Sequence, residues 1–373
     1  MRVLVYTEAW GKGGIETFVS NEVKLLSSEA TKFEVFSTWC WKGCKQRGLE
    51  HPFTPHKVVF VGFRPNLVRR TLVGYSEFSK ELKHNNYDVV HINTMNGMGF
   101  LYAFAARRYG VPVRIAHAHN SDFGTGLRVI KGAMHSLGRA LFMSSATNCL
   151  ACSNSAGQYL FGTRKYEVIP NGVEIERYAF RERHRSEERA KLHVERSCML
   201  IGSVGRLSSQ KNPLFQLRVF RSVKEKIPSS RFLMVGSGEL NSEVNEEIKR
   251  LGLGDSVIRL EAVDDVSSIY SALDLLLMPS LFEGLPMVAV EAQCAGLSIL
   301  CSSAVTSEVE ITDLVTRKEL SDGADSWSKA AIDILSNMSH NREHYADLME
   351  DAGYSVEAAV SRLQNIIEKG ERG

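Results

Sequence analysis

Pro279-Ser280-Leu281-Phe282-Glu283-Gly284-Leu285-Pro286-Met287-Val288-Ala289-Val290-Glu291-Ala292 begins where the apolar run DLLLMPS (residues 274–280) ends. That run reads as a buried strand, and the segment after it as a loop shaped by Gly284 and Pro286. Pro286 suits the first turn of a helix, expected from about Pro286 to Cys294. Glu283 then sits at the carboxyl end of a strand and Glu291 about one and a half turns into the helix. In a doubly wound sheet ligands collect at that end of the strands. Two carboxylates so placed can accept hydrogen bonds from hydroxyls along one extended ligand, a sugar near Glu283 and a ribose near Glu291.

The same alternation extends outward in both directions. Upstream lie the strand-like CMLIGSVGRL, RFLMVGSGE and SVIRLEA and the helix-like SSIYSAL, and downstream the strand-like LSILCSS. The first half repeats the pattern with RVLVYT, FEVFST, HKVVFVG, YDVVHIN, VPVRIAHAH and TNCLACS, separated by helical candidates such as IETFVSNEVKLLSS. Strand-helix alternation over this length implies parallel sheets covered on both faces. The expected divisions are a Rossmann-like domain over 1–168, a second over 169–345, and a polar helical tail over 346–373 that packs back on the first domain. YEVIPNGV reads as a strand ending in a hinge turn near 168–175. The charge-dense RERHRSEERAKLHVER reads as a linker into a surface helix.

The 373 residues suit two domains, and 44% hydrophobic with 24% charged residues is a soluble-globular composition. No stretch of eighteen uncharged apolar residues occurs, and the N-terminus reads as a strand rather than a signal peptide. Seven cysteines without an export signal point to reduced thiols and a cytoplasmic setting. Cys149 and Cys152 read as small core residues rather than zinc ligands, and Cys40/Cys44 is the other close pair. The net charge is only +2, but residues 60–140 hold eleven Lys/Arg against four Asp/Glu. Such a face either is solvated or meets an acidic bilayer or a phosphate-bearing acceptor.

Three further segments carry chemistry. Gly11-Lys12-Gly13-Gly14 separates the first strand from a helix, where backbone N–H groups can approach an anion. Gly202-Ser203-Val204-Gly205-Arg206-Leu207-Ser208-Ser209-Gln210-Lys211-Asn212 also joins strand to helix. Its Arg206 offers paired donors to a diphosphate and Lys211 a mobile point charge. Ile115-Ala116-His117-Ala118-His119 puts both histidines on one strand face. No acidic cluster has metal-ligand spacing, and Asp264-Asp265 looks like helix capping.

The chain resembles glycosyltransferase family 4 in the GT-B architecture: two Rossmann-like, doubly wound α/β domains facing a central cleft. The resemblance rests on Glu283 and Glu291, with seven residues between them, and on GRLSSQKN, GKGGIE, VIPNGVE and LMVGSGE. It implies that Arg206, Lys211 and Gly205 bind the donor diphosphate, met by Gly13 and Gly14 from across the cleft. Asn171 and Gly172 border the cleft, and Gly236 and Gly238 lie beside the nucleotide. Gly284, Leu285 and Pro286 complete the donor loop. Catalytic roles fall to His119, Glu283, Arg206 and Lys211. In the family a histidine near the end of this strand points at the transferred sugar, with His119 the first candidate and His117 the second. His91 reads as structural or cleft-lining, and Asn93 and Thr94 fall where an acceptor could be contacted. Ser298 stands where proline is frequent, and Glu308 and Glu310 are both candidates for a further acid on the sugar side.

The implied reaction is retaining transfer of a hexose from a UDP-sugar to a sugar or polyprenyl-linked sugar acceptor. The branch resembled builds capsular or exopolysaccharide repeats in the cytoplasm or peripherally on the membrane. No metal or other cofactor is required if cations and helix N-termini neutralise the leaving diphosphate, and no nucleic acid is involved. Two other functions fit the same segments: a nucleotide-sugar epimerase and a non-catalytic nucleotide-sugar-binding subunit. An NAD-dependent oxidoreductase fits worse, because the dinucleotide fingerprint is missing.

Overall fold

A computed structural model describes residues 1–11, 14–40, 56–62, 66–122, 128–261, 263, 265–283, 285–338 and 341–371. Two compact units result, Met1–Gly172 with Val356–Gly373, and Val173–Ser355.

The first unit holds β1 (Arg2–Thr7), α1 (Gly14–Leu26), β2 (Lys32–Cys40), β3 (His56–Val61), α2 (Leu67–His84), β4 (Val89–Thr94), α3 (Phe100–Arg108), β5 (Val113–Ala118), α4 (Arg128–Phe142), β6 (Asn148–Ala151), α5 (Asn154–Phe161) and β7 (Glu167–Val168). The second holds α6 (Ile175–Tyr178), α7 (Glu182–Lys191), β8 (Leu200–Val204), α8 (Pro213–Lys226), β9 (Arg231–Val235), α9 (Asn241–Arg250), β10 (Val257–Leu260), α10 (Ser267–Ala272), β11 (Leu275–Met278), α11 (Met287–Cys294), β12 (Ile299–Ser302), β13 (Val315–Lys318), α12 (Gly323–Ser336) and α13 (Tyr345–Asp351). Helix α14 (Val356–Glu371) returns to the first unit.

Every pairing in both sheets is parallel, in the orders β3-β2-β1-β4-β5-β6-β7 and β10-β9-β8-β11-β12-β13. Strand order reverses between β1 and β4 and between β8 and β11. Loops leaving those strands at their carboxyl ends therefore diverge and open a crevice. The central strands are buried on both faces, as RVLVYT and LLLM require: Val3, Val5, Leu275 and Leu277 are at most 2% exposed.

The polar tail is not one helix. The chain turns at Gly353, whose φ is +80°, which separates α13 from α14. Helix α13 packs on α11 in the second unit. Helix α14 presents Ala359, Leu363 and Ile367, four residues apart on one face, to the core formed by Val3, Val5, Phe18 and Val23. YEVIPNGV pairs over only two residues. Ile169 donates to Ala151 O, and the chain then turns at Pro170-Asn171-Gly172.

Helix α7, read above as a surface helix, is anchored inward by an arginine. Arg189 is 3% exposed and bonds Ala272 O, Glu195 O and the Asp274 carboxylate. Cys40 is disulfide-bonded, contrary to the expectation of reduced thiols, while Cys149 and Cys152 are buried free thiols. Cys44 lies outside the described residues.

Candidate active site

In the second unit the site grows from the loop after β8. Gly205 has a φ of +142° and Gly236 of +133°, values that a side chain disfavours. A Cβ on Gly236 would stand 2.0 Å from Gly205 O, and one on Gly238 2.3 Å from Leu207 O. Gly205 N–H donates to Val235 O, Leu207 N–H to Ser237 O, and Leu240 N–H to Leu207 O. Gly236 and Gly238 therefore back one loop against the other, a packing role that their placement beside a nucleotide did not foresee.

Beyond Leu207 the chain makes a 3-10 turn over Ser209–Lys211 and a left-handed step at Asn212 (φ +53°) before Pro213 opens α8. This aims a helix N-terminus, with its free backbone donors, at the crevice. Arg206 is exposed and has no ion-pair partner among the described residues. Gly205, Arg206, Lys211, Gln216, Met278 and Val288 line a small hollow there.

The loop carrying Glu283 is fastened to this one. Leu281 N–H donates to Gln210 O at 2.8 Å, and Gln210 Nε2 donates to Phe282 O at 3.0 Å. Lys211 Nζ lies 2.5 Å from Glu283 Oε1. Lys211 is thus held rather than mobile, with N–H donors left for a phosphate oxygen. Pro286 is the N-cap residue of α11 rather than part of its first turn, and Leu285 is buried beside it. Gly284 and Gly13 lie outside the described residues, as do Lys12 and Asp264. Asp265 accepts the Ser267 N–H at the start of α10.

Glu291 is not a free acceptor. Tyr270 Oη donates to Glu291 Oε2 at 2.6 Å, and the Tyr178 hydroxyl also reaches the carboxylate. Burial raises the carboxyl pKa, opposed by the two hydroxyls and by Arg177. A carboxylate has about four lone-pair positions, so Tyr270 leaves acceptor positions on Glu291. Neither tyrosine was legible in the motif, because they lie 21 and 113 residues from Glu291 in sequence. Thr306 caps the turn over Ser307–Val309 by accepting the Glu308 N–H, and Glu310 pairs with Arg317 at 3.1 Å.

In the first unit Gly14 opens α1 directly after the loop leaving β1. The register pairs Asn93 with His117 and His91 with Ile115. His91, Asn93, His117 and His119 therefore share one face, which α1 covers with Phe18 and Glu22. Glu22 Oε1 lies 2.8 Å from His91 Nδ1, and His91 Nε2 lies 3.3 Å from His117 Nδ1. The His117 and His119 ring centroids are 4.2 Å apart, and Phe18 meets His117 edge-on at 5.0 Å. His119, just past β5, is half-buried and places Nε2 2.7 Å from Asn93 Oδ1. Burial, then His91, lowers the His119 pKa to about 3, and burial holds that of His117 well below the ordinary histidine value. Both rings are neutral.

Asn93 and Thr94, expected where an acceptor could be contacted, are each 1% exposed. Asn93 holds His119. Thr94 Oγ1 donates to Asn96 O, and Gly99 packs so close that a Cβ there would sit 2.2 Å from that oxygen. Asn171 is 7% exposed, and its Oδ1 has no partner among the described residues.

Sequence reasoning missed a cavity of about 390 Å³ at the carboxyl ends of β1 and β4. Glu8, Arg70, Asn96, Tyr102, Lys131 and Tyr159 are among its lining residues. Glu8 is 8% exposed and accepts from Asn96 Nδ2 and Arg70. The available signal was an acid just after β1, in a loop read only for its glycines. Glu22 was also missed, although an acid inside the apolar stripe of Phe18, Val19 and Val23 is itself a signal.

The model of Glycosyltransferase Family 4 matches residues 12–177, and that of Glycosyl transferases group 1 matches residues 184–352. EpsF of Bacillus subtilis (strain 168), named as a glycosyltransferase, is 29% identical over 98% of this chain and 96% of its own length. An Escherichia coli UDP-Gal:alpha-D-GlcNAc-diphosphoundecaprenol alpha-1,3-galactosyltransferase is 28% identical over 78% of this chain and 76% of its own. Anabaena HepE, solved in complex with UDP, superposes with a TM-score of 0.78 at 18% identity, over 99% of this chain and 100% of that one. WaaG, a lipopolysaccharide glycosyltransferase, gives 0.76 at 17% over 98% and 99%. Both halves of the sequence, with the two parallel sheets they build, place this chain in glycosyltransferase family 4, and it is a glycosyltransferase of GT-B type.

Proposed function

We propose that the protein transfers a hexose, with retention, from a UDP-sugar to a hydroxyl of a sugar or lipid-linked sugar acceptor in surface-polysaccharide synthesis. The observation that carries this reading is the fastening of the Arg206–Lys211 loop to the Glu283 loop at the β8/β11 reversal. It sets a cation beside the acid expected to hold the sugar. A relative named for a UDP-galactose donor and a diphosphoundecaprenol acceptor, and a fold relative solved with UDP, support the choice of donor and acceptor.

As the sugar–phosphate bond breaks, positive charge grows on the sugar carbon and negative charge on the diphosphate. Arg206, Lys211 and the N-terminus of α8 would stabilise the leaving group, so the reading needs no metal ion. The leaving phosphate takes the acceptor proton in a front-face attack.

Peripheral attachment to an anionic bilayer belongs to the same reading. The outward face of α4 is apolar, with Val129 86% and Leu141 58% exposed beside Ile130 and Leu137. Arg128, Lys131 and Arg139 lie on the same helix. Val68 and Leu72 are exposed on α2, next to Arg69. Arg128 is paired with Asp122, so the apolar surface is the part of this face that would meet lipid. Among the described residues no helix is long and apolar enough to cross a membrane.

The test is a panel of nucleotide sugars, read by thermal stabilisation and by hydrolysis with and without saccharide acceptors. UDP-sugars should stabilise and turn over, giving product of unchanged anomeric configuration. Stabilisation only by other nucleotides would reject the donor, and an inverted product would reject retention.

A further inference from the structure

Helix α10 is short, and both of its ends are fastened. Asp265 accepts the Ser267 N–H at its start. The last carbonyls of a helix find no partner inside it, and here three arginines supply one. Arg342, ahead of α13, donates to Tyr270 O at 2.8 Å and to Leu273 O at 2.9 Å. From α7, Arg185 donates to Ser271 O at 3.2 Å and Arg189 to Ala272 O at 2.8 Å. Tyr270 rides on this helix, 0% exposed, with its ring centroid 6.1 Å from that of Tyr178 on α6. The fold of the second unit alone therefore fixes where the Tyr270 hydroxyl stands.

That hydroxyl points at Glu291, which remains part-exposed, and donates to Oε2 at 2.6 Å. Burial, then the Glu291 charge, raises the Tyr270 pKa well above its ordinary value, so the phenol keeps its single hydrogen and stays a donor. Burial favours the neutral form of Glu291. The Tyr270 and Tyr178 hydroxyls and Arg177 favour the anion, and Asp265 works against it. Cys294, on the same helix as Glu291, stays a neutral thiol because burial pushes its pKa up to about 12. The balance matters for recognition. An anionic carboxylate only accepts, whereas a protonated one gives up an acceptor position and turns a donor toward its ligand.

We infer that Tyr270 is a positioning residue that holds Glu291 as an oriented acceptor for ribose hydroxyls, so that the donor site selects ribonucleoside diphosphates over their deoxy counterparts. The choice of ligand rests on the donor reading proposed above; the hold of Tyr270 on Glu291 does not. Tyr270 takes one position on Oε2 and leaves others free to accept. A nucleotide without those hydroxyls covers the carboxylate and leaves it unpaired, which costs more than the missing bond alone.

The experiment is titration calorimetry of the full chain with UDP and with 2′,3′-dideoxy-UDP. Wild type should bind UDP about ten- to a hundredfold more tightly than the dideoxy nucleotide. Tyr270→Phe removes one oxygen and keeps the ring. It should cut that ratio to about threefold or less, with affinity for 2′,3′-dideoxy-UDP held within about twofold. A general loosening of the site would weaken both nucleotides alike, so equal loss overturns the inference. An unchanged ratio in Tyr270→Phe overturns it too, as does a wild type that binds the two nucleotides equally. A second arm needs no nucleotide: the carboxyl ¹³C resonance of Glu291 in glutamate-labelled protein, assigned by its loss in Glu291→Gln. Its titration midpoint should rise by about half a pH unit or more in Tyr270→Phe, and an unmoved midpoint overturns the inference. Failure of the wild type to bind UDP at all strikes the donor reading instead, and the carboxyl titration then decides the role of Tyr270.

Discussion

Lys211 Nζ stands 2.5 Å from Glu283 Oε1, and the two side chains are only 20% and 11% exposed. One ion pair thus couples the loop leaving β8 to the loop leaving β11, and the cation assigned to the diphosphate is oriented by the acid assigned to the sugar. Lys211→Ala should weaken UDP binding about tenfold or more in titration calorimetry, and Glu283→Ala should mainly lower kcat, each by about a hundredfold or less. The double variant should lose less than the sum of the two, with a coupling of about 1–3 kcal/mol. Strict additivity would mean that the pair does not act as a unit.

Glu291 gives a pH-dependent stability of definite sign. Its folded pKa is raised by burial, so the native state holds a proton that the unfolded chain releases. Stability from this group is complete below the unfolded pKa and is lost as pH rises through the folded one. Glu291→Gln should therefore raise the Tm of the ligand-free protein at pH 7 by roughly 2–4 °C, with little change near pH 4. The same variant should bind UDP more weakly. A lower Tm at pH 7 would contradict this balance.

His119 has the opposite sign. Its pKa is lowered to about 3 by burial and His91, so the unfolded chain binds the extra proton first. Its stability contribution is present above the ordinary histidine pKa of 6.5 and falls as pH drops toward 3. Denaturant midpoints of the wild type should decline across that window, and His119→Asn should decline less steeply.

Gly236→Ala would put a methyl group 2.0 Å from Gly205 O, at a backbone angle that disfavours it. A loss of about 2–3 kcal/mol in urea unfolding is expected, together with weaker nucleotide binding. Gly254→Ala is the control, with nothing within 4 Å of the added carbon, and should change stability by about 0.5 kcal/mol or less.

The outward face of α4 is open to a simple assay. Leu137→Ser and Leu141→Ser together should leave unfolding nearly unchanged, since both side chains are more than half exposed. They should weaken binding to phosphatidylglycerol vesicles by about tenfold or more, with wild-type binding falling as salt rises. Equal vesicle binding by the variant and wild type would remove α4 as the contact.

The alternation of apolar runs with Gly-containing loops determined the two parallel sheets, because strand, turn and helix signals are local. It also put Arg206, Lys211 and Glu283 at strand ends, and the order β8-β11 brought those ends together. What only the folded chain decided were partnerships between groups distant in sequence. Tyr178 and Tyr270 came to Glu291, Glu22 came to His91 across 69 residues, and Glu8 and Arg70 came to one cavity. Folding also set Asn93 against His119 and packed Gly236 and Gly238 where two loops cross. A motif records which residue ends a strand. The sheet order and the helix laid over it decide what that residue faces, and both arise from burying apolar surface contributed by the whole chain.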